Sequence, residues 1–159
     1  MIDGMVVREM GYRCMYDLKQ ISKLKDILWA GEYGTGKGRE KDKLVQTLWS
    51  HYEDSGFLSA RILNYLDEHN MGLVDSGKIW ELIKTLPAKP FDITSVHDCF
   101  RCLPNYGNDI RRQYNQILSD LARSDILCFL ATQITGSYVP VAKSDDIADL
   151  ILESDYALS

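Results

Sequence analysis

Most apolar residues of this chain recur at helical spacing, and one segment breaks that pattern. Ile93-Thr94-Ser95-Val96, a largely β-branched run, leads into His97-Asp98, and the short apolar stretch of Cys99 and Phe100 follows before Arg101. β-Branched and aromatic runs of this length on either side of a short polar loop predict an antiparallel hairpin. The expected strands are 93–96 and 100–103, with Asp98 at the exposed tip. A carboxylate held there can reach a divalent cation; Mg²⁺ prefers hard oxygen ligands and is usually bound by one or two carboxylates together with phosphates. The same residues also satisfy a simpler reading, a polar turn between two strands.

Around this hairpin the pattern is helical. Met5, Val6, Met10, Cys14 and Leu18 are spaced for a helix over about 3–27, with Arg8, Glu9, Arg13 and Asp17 interleaved. Leu44, Leu48 and Tyr52 mark a second helix, and Leu58, Ile62, Leu63 and Leu66 a third. A fourth runs from Gly77 and stops at Leu86 before Pro87, since proline disfavours helix in the residue preceding it. A long helix over about 108–123 should turn Tyr114, Ile117, Leu118 and Leu121 inward. The segment 126–133 reads as helix or strand, and Ser144 is a candidate N-cap for a last helix over 145–153. The fold expected is α+β and mostly helical: helices packed around one short antiparallel hairpin, with an inserted helical subdomain. Residues 1–30 and 91–159 form one part and residues 31–90 the insert, with 41–86 as a compact three-helix unit.

Composition excludes some functions. The 159 residues carry a net charge of −5, whereas domains that grip nucleic acid chiefly through phosphates are usually basic. Nucleic-acid contact would therefore be local or shared with a basic partner. No run is long and apolar enough for a membrane span. Cys14, Cys99, Cys102 and Cys128, with no leader-like N-terminus, fit free thiols in a reducing cytoplasm.

Two motifs are weighed and set aside. Gly31 to Lys37 has the spacing G-x-x-x-x-G-K, but Gly38 stands where a phosphate-binding loop needs a metal-binding hydroxyl. The preceding segment is also helical, so a flexible connector is expected. Cys99-x-x-Cys102 has only His97 nearby, short of the four ligands of a structural zinc site. Small, semi-apolar strand residues are the expected role. His51 and His69 lie in charged helices and read as surface, and Trp29, Trp49 and Trp80 read as core.

Three stretches resemble the phage-type single-subunit DNA-dependent RNA polymerases. His97-Asp98 looks like that family's second catalytic palm motif, a His-Asp pair in a hairpin. Ile151-Leu152-Glu153-Ser154-Asp155-Tyr156-Ala157-Leu158-Ser159 is similar to the family's C-terminal ending. Ile2-Asp3-Gly4 followed by a helix resembles the family's Asp-Gly helix before the hairpin. The likeness covers roughly 1–18 and 91–159, leaving the middle as an insertion.

The resemblance implies template-directed nucleotidyl transfer dependent on Mg²⁺, with Asp98 bridging the ions and His97 positioning the transcript end. It implies that Asp155, Tyr156, Ala157, Leu158 and Ser159 approach the site from the tail and that Asp3 and Arg8 lie near the template. The family's first metal-binding aspartate, fingers and thumb have no counterpart among these residues. The implied partners are thus a second polymerase chain carrying the fingers and that aspartate, plus DNA template and NTPs through the assembled enzyme. No membrane is implied, and the expected setting is the cytoplasm of an infected bacterial host. A rival expectation is a non-catalytic helical interaction module that keeps the hairpin without its chemistry.

Overall fold

The computed structural model describes residues 2–97, 99–143 and 147–155. Among them are seven α-helices and one two-stranded antiparallel sheet, the mostly helical α+β architecture expected. The helices are α1 (Ile2–Cys14), α2 (Leu18–Ala30), α3 (Glu40–Ser55), α4 (Ser76–Thr85), α5 (Gly107–Arg123), α6 (Ile126–Thr135) and α7 (Ile147–Glu153). The strands are β1 (Thr94–Val96) and β2 (Cys99–Arg101).

The single N-terminal helix expected over 3–27 is two helices, because Asp17 caps a new one. Its carboxylate accepts from the Lys19 and Gln20 amides at 2.8 and 3.3 Å, satisfying donors at the start of α2. The break is fastened on both sides: Phe91 N donates to Cys14 O at 2.8 Å, and the Tyr16 hydroxyl to Pro87 O at 2.7 Å. α4 begins at another aspartate cap, Asp75, and ends before Pro87.

Two apolar clusters form the interior. In one, Ile21, Leu24 and Ile27 of α2 meet Val45, Ile62, Leu63, Leu66, Met71, Ile79, Leu82 and Ile83. Thus α2, although N-terminal to the glycine-rich loop, shares the core of the 31–90 segment. In the other, Val6, Met10 and Cys14 of α1 meet Phe57, Phe91, Ile117 and Ile126, with Ile93, Phe100 and Tyr114 packed against them. Removing a large aliphatic side chain from water contributes roughly 1.5–3 kcal/mol, so both clusters are substantial.

The middle is not three α-helices. Leu58 to Leu66 is carried by a 3-10 turn over Ala60–Asn64, and a second 3-10 turn spans Met71–Leu73. The apolar residues still face inward, with Ile62 and Leu66 fully buried and Leu48 and Leu58 packed against the cluster. The local cause is Ser59, whose hydroxyl oxygen accepts from the Arg61 amide and whose O–H donates to Glu9 at 2.6 Å. That ties the turn to α1 instead of letting a helix propagate.

The glycine loop is a fastened segment, not a loose connector. Gly34 N donates to Glu68 O at 2.8 Å, Gly36 N to His69 O at 2.7 Å, and Gly72 N to Gly34 O at 2.9 Å. A Cβ on Gly34 would lie 2.5 Å from His69 O, so only glycine fits that approach. Asp42, buried at the start of α3, completes the junction. It accepts from the Lys37 and Arg39 amides, from the Arg39 guanidinium and from Asn70 Nδ2, and Arg39 also reaches Asp67. The Arg39 guanidinium holds the Asp42 carboxyl well below the ordinary carboxylate range.

Between the clusters sits a buried ionic junction that the helical pattern did not announce. Glu9 and Arg13, interleaved charges in the sequence, are 2% and 0% exposed. Arg13 Nε donates to Glu9 Oε1 at 3.2 Å, Nη1 to the Thr85 hydroxyl at 2.9 Å and Nη2 to Asp120 at 3.0 Å. Glu9 also accepts from the Ala60 amide at 2.7 Å. One pair therefore joins α1, α4, α5 and the 60–64 turn.

Candidate functional site

Strand pairing defines the hairpin: Thr94 opposes Arg101, Ser95 opposes Phe100, and Val96 opposes Cys99. The second strand starts one residue earlier than the sequence pattern indicated, and Leu103 lies outside it. Only His97 and Asp98 separate the paired strands. Two-residue hairpin loops favour turns with positive φ because their twist matches the strands. His97 adopts φ 56°, the one non-glycine residue with positive φ among the described residues. Such a conformation is uncommon outside glycine and tends to persist where surrounding structure fixes it, often at functional sites. His97 is exposed. Asp98 lies outside the described residues.

Because paired residues of an antiparallel ladder share a face, the hairpin has two distinct sides. Ser95 and Phe100 share the inner side, where Phe100 packs against Tyr114 of α5 with ring centroids 5.8 Å apart. Thr94, Val96, Cys99 and Arg101 share the outer side, and all four are exposed. Beneath the hairpin, Met10, Phe100, Ile110, Arg111 and Tyr114 line a cavity of about 160 Å³. The hairpin is thus seated on α1 and α5.

α5 also holds the C-terminal segment. Arg111 Nη1 donates to Ser154 O at 2.7 Å, Asn115 Nδ2 to the same oxygen at 3.0 Å, and the Ser119 hydroxyl to Ala148 O at 2.9 Å. Arg111 therefore touches both the space under the hairpin and the residue preceding Asp155. Asp155 is exposed, and Tyr156, Ala157, Leu158 and Ser159 lie outside the described residues, as does Ser144. The expected inward face of α5 is largely present, with Ile117 fully buried and Tyr114 and Leu121 packed against the cluster, but polar residues are buried beside it. Gln113, Asn115, Ile117 and Ser119 are buried, while Tyr114, Leu118 and Leu121 are partly exposed. α5 is covered by α1 on one side and α7 on another, so polar side chains that grip neighbouring carbonyls are buried along with the apolar ones. Gln113 is an example: its Nε2 donates to Thr85 O at 2.7 Å.

Asp3 and Arg8 are exposed on α1. Neither makes a hydrogen bond or ion pair among the described residues, so nothing there links them to His97. Asp3 in the first turn of α1 complements the helix dipole. The residues that sequence reasoning missed are Arg111 and Asn115. Their i, i+4 spacing on α5 was visible, but a polar pair at that spacing reads as a solvated helix face until its partner segment is known.

The set-aside motifs have physical explanations. The Gly34, Gly36 and Lys37 amides are spent inside the protein, leaving no cradle for phosphate. No disulfide links the four cysteines. Burial pushes the Cys14 thiol up to about 12 and raises Cys102 as well, which disfavours the thiolate form. His51 and His69 are exposed, whereas Trp29, expected in the core, is 89% exposed. Among the described residues no three His, Cys, Asp or Glu side chains are grouped to hold a metal ion. Nor is any helix there long and apolar enough to cross a membrane. The chain matches no known protein family and no curated protein.

Proposed function

We propose that this chain is the C-terminal palm portion of a single-subunit-type DNA-directed RNA polymerase, acting with fingers and a first catalytic aspartate supplied by a second polypeptide. The observation that carries the reading is the two-residue turn between β1 and β2, with His97 exposed and left-handed on a hairpin seated against α1 and α5. Such a turn leaves the strand ends close together, with the His97 side chain exposed. The tethering of Ser154 to α5, beside the hairpin, supports a tail that starts near the same site.

In this reading His97 orients the 3′ end of the transcript for attack on the α-phosphate of an NTP. Asp98 holds Mg²⁺ together with the carboxylate of the second polypeptide, and the ion when bound supplies charge stabilisation at the transferring phosphate. Among the described residues no three His, Cys, Asp or Glu side chains are grouped to hold the ion, and in this reading the second polypeptide supplies the further carboxylate. Asp155 with Tyr156 to Ser159 approaches from the tail, and Asp3 and Arg8 lie towards the template. The test is RNA synthesis by the two polypeptides combined. Asp98→Asn should abolish it while co-purification of the polypeptides persists; full activity of that variant would overturn the assignment.

A second reading has its own observation. Ile134, Tyr138 and Leu150 are exposed on and around α6 and α7, as expected of a surface that meets another protein. A non-catalytic interaction module would bind its partner equally well with and without Asp98 and give no Mg²⁺-dependent synthesis.

A further inference from the structure

Resting on the polymerase reading, we propose that Arg101 is a positioning residue of the hairpin, contacting a backbone phosphate of the nucleic-acid strand whose end His97 orients. The outer side of the hairpin is the one available to a ligand, since Phe100 commits the inner side to α5. Of the four residues on that outer side, Arg101 alone is charged, and Thr94 directly opposite adds a hydroxyl donor.

Arg13, Arg39 and Arg123 each face a carboxylate, Arg111 binds a carbonyl and Arg61 covers a tyrosine ring; exposed Arg8 and Arg112, like Arg101, make no such contact among the described residues, and of these three Arg101 alone lies on the hairpin. Arg101 makes no hydrogen bond, ion pair or ring contact among the described residues. On a chain of net charge −5, an exposed arginine that pairs with no carboxylate among the described residues is a local exception to the overall repulsion of phosphate. Its planar fork suits phosphate oxygens, which it can bind with two parallel hydrogen bonds.

Position also fits. Arg101 ends the strand that leaves the His97 turn, two residues or about 7 Å beyond Cys99. The chemistry needs only the phosphodiester, so the contact would be independent of base sequence.

The experiment uses the assembled two-polypeptide enzyme and a short RNA–DNA hybrid, with Kd measured across a salt series. Arg101→Ala should weaken binding about tenfold at low salt, as for loss of one charge-assisted hydrogen bond. It should also reduce the slope of log K against log salt by about 1. Arg101→Lys should keep the slope. Unchanged affinity and slope in Arg101→Ala would overturn this proposal. Asp98→Asn, measured alongside, separates it from the underlying reading. If Asp98→Asn loses synthesis yet binds hybrid while Arg101→Ala binds normally, only the Arg101 proposal fails. If Asp98→Asn still synthesises RNA, the polymerase reading itself fails.

Discussion

Arg13 and Glu9 carry opposite charges at i and i+4 on α1 and are both shut away from water. A buried pair of this kind contributes little net stability relative to a well-packed apolar pair, but leaving one charge alone is costly. Arg13→Ala strands Glu9 and releases Thr85 and Asp120, so it should destabilise by about 3–5 kcal/mol, read as a lowered urea midpoint. Asp42 gives a pH-dependent prediction. Its folded-state pKa is depressed below the ordinary 3.8 by Arg39 first, then by the Lys37 amide. The stability this supplies is fully present above the unfolded value and is lost as pH falls through the folded one. Urea titrations should therefore show Asp42→Asn less stable than the natural chain at pH 7, with the gap closing as pH drops below about 4. A gap constant with pH would contradict the account. None of this was legible from spacing, which sorts residues by apolarity. Glu9 and Arg13 are buried because each finds partners far away in the sequence, and Asp42 because Lys37, Arg39 and the distant Asn70 converge on it.

At the level of elements, legibility followed the strength of local signals. α4 was readable at both ends, from its apolar spacing and from Pro87. The hairpin was readable from its β-branched run, although its register was set by turn geometry, which prefers two residues to three. The break at Tyr16 was hidden because Met10, Cys14 and Leu18 keep helical spacing across it; Asp17, a strong cap, was the available signal. The 3-10 turn over Ala60–Asn64 has no sequence signature of its own, since its apolar residues would suit an α-helix equally. The glycine loop tests whether close backbone approach or mere flexibility fixes its composition. Gly34→Ala places a methyl against His69 O and should cost more than about 1 kcal/mol. Gly4→Ala in α1, where a Cβ meets nothing within 4 Å, should be neutral or slightly stabilising, as alanine is the better helix former. Equal thermal midpoints for the two variants would show that the 34–72 contacts are dispensable.

For the whole molecule, α5 is the bracket: the hairpin rests on Tyr114, the tail is tied to Arg111 and Asn115, and Asp120 reaches the Arg13 junction. The fold thus brings Phe100 of the hairpin and Ser154, just before Asp155, to one helix, while among the described residues Asp3 and Arg8 have no bonded link to either. Of the candidate site, the sequence made the His97-Asp98 turn visible but not its support, because long-range carbonyl contacts such as Arg111 to Ser154 leave no local trace. The central claim is that this chain supplies one carboxylate of a site completed by another polypeptide. The direct measurement is Mg²⁺-dependent RNA synthesis on a primed template by this 159-residue chain, first alone and then with the fingers-bearing polypeptide. The account predicts no synthesis alone, synthesis on combination, and a loss of at least about 10²–10³-fold with Asp98→Asn. Robust synthesis by the chain alone, or undiminished synthesis by the Asn variant in the combination, would contradict it.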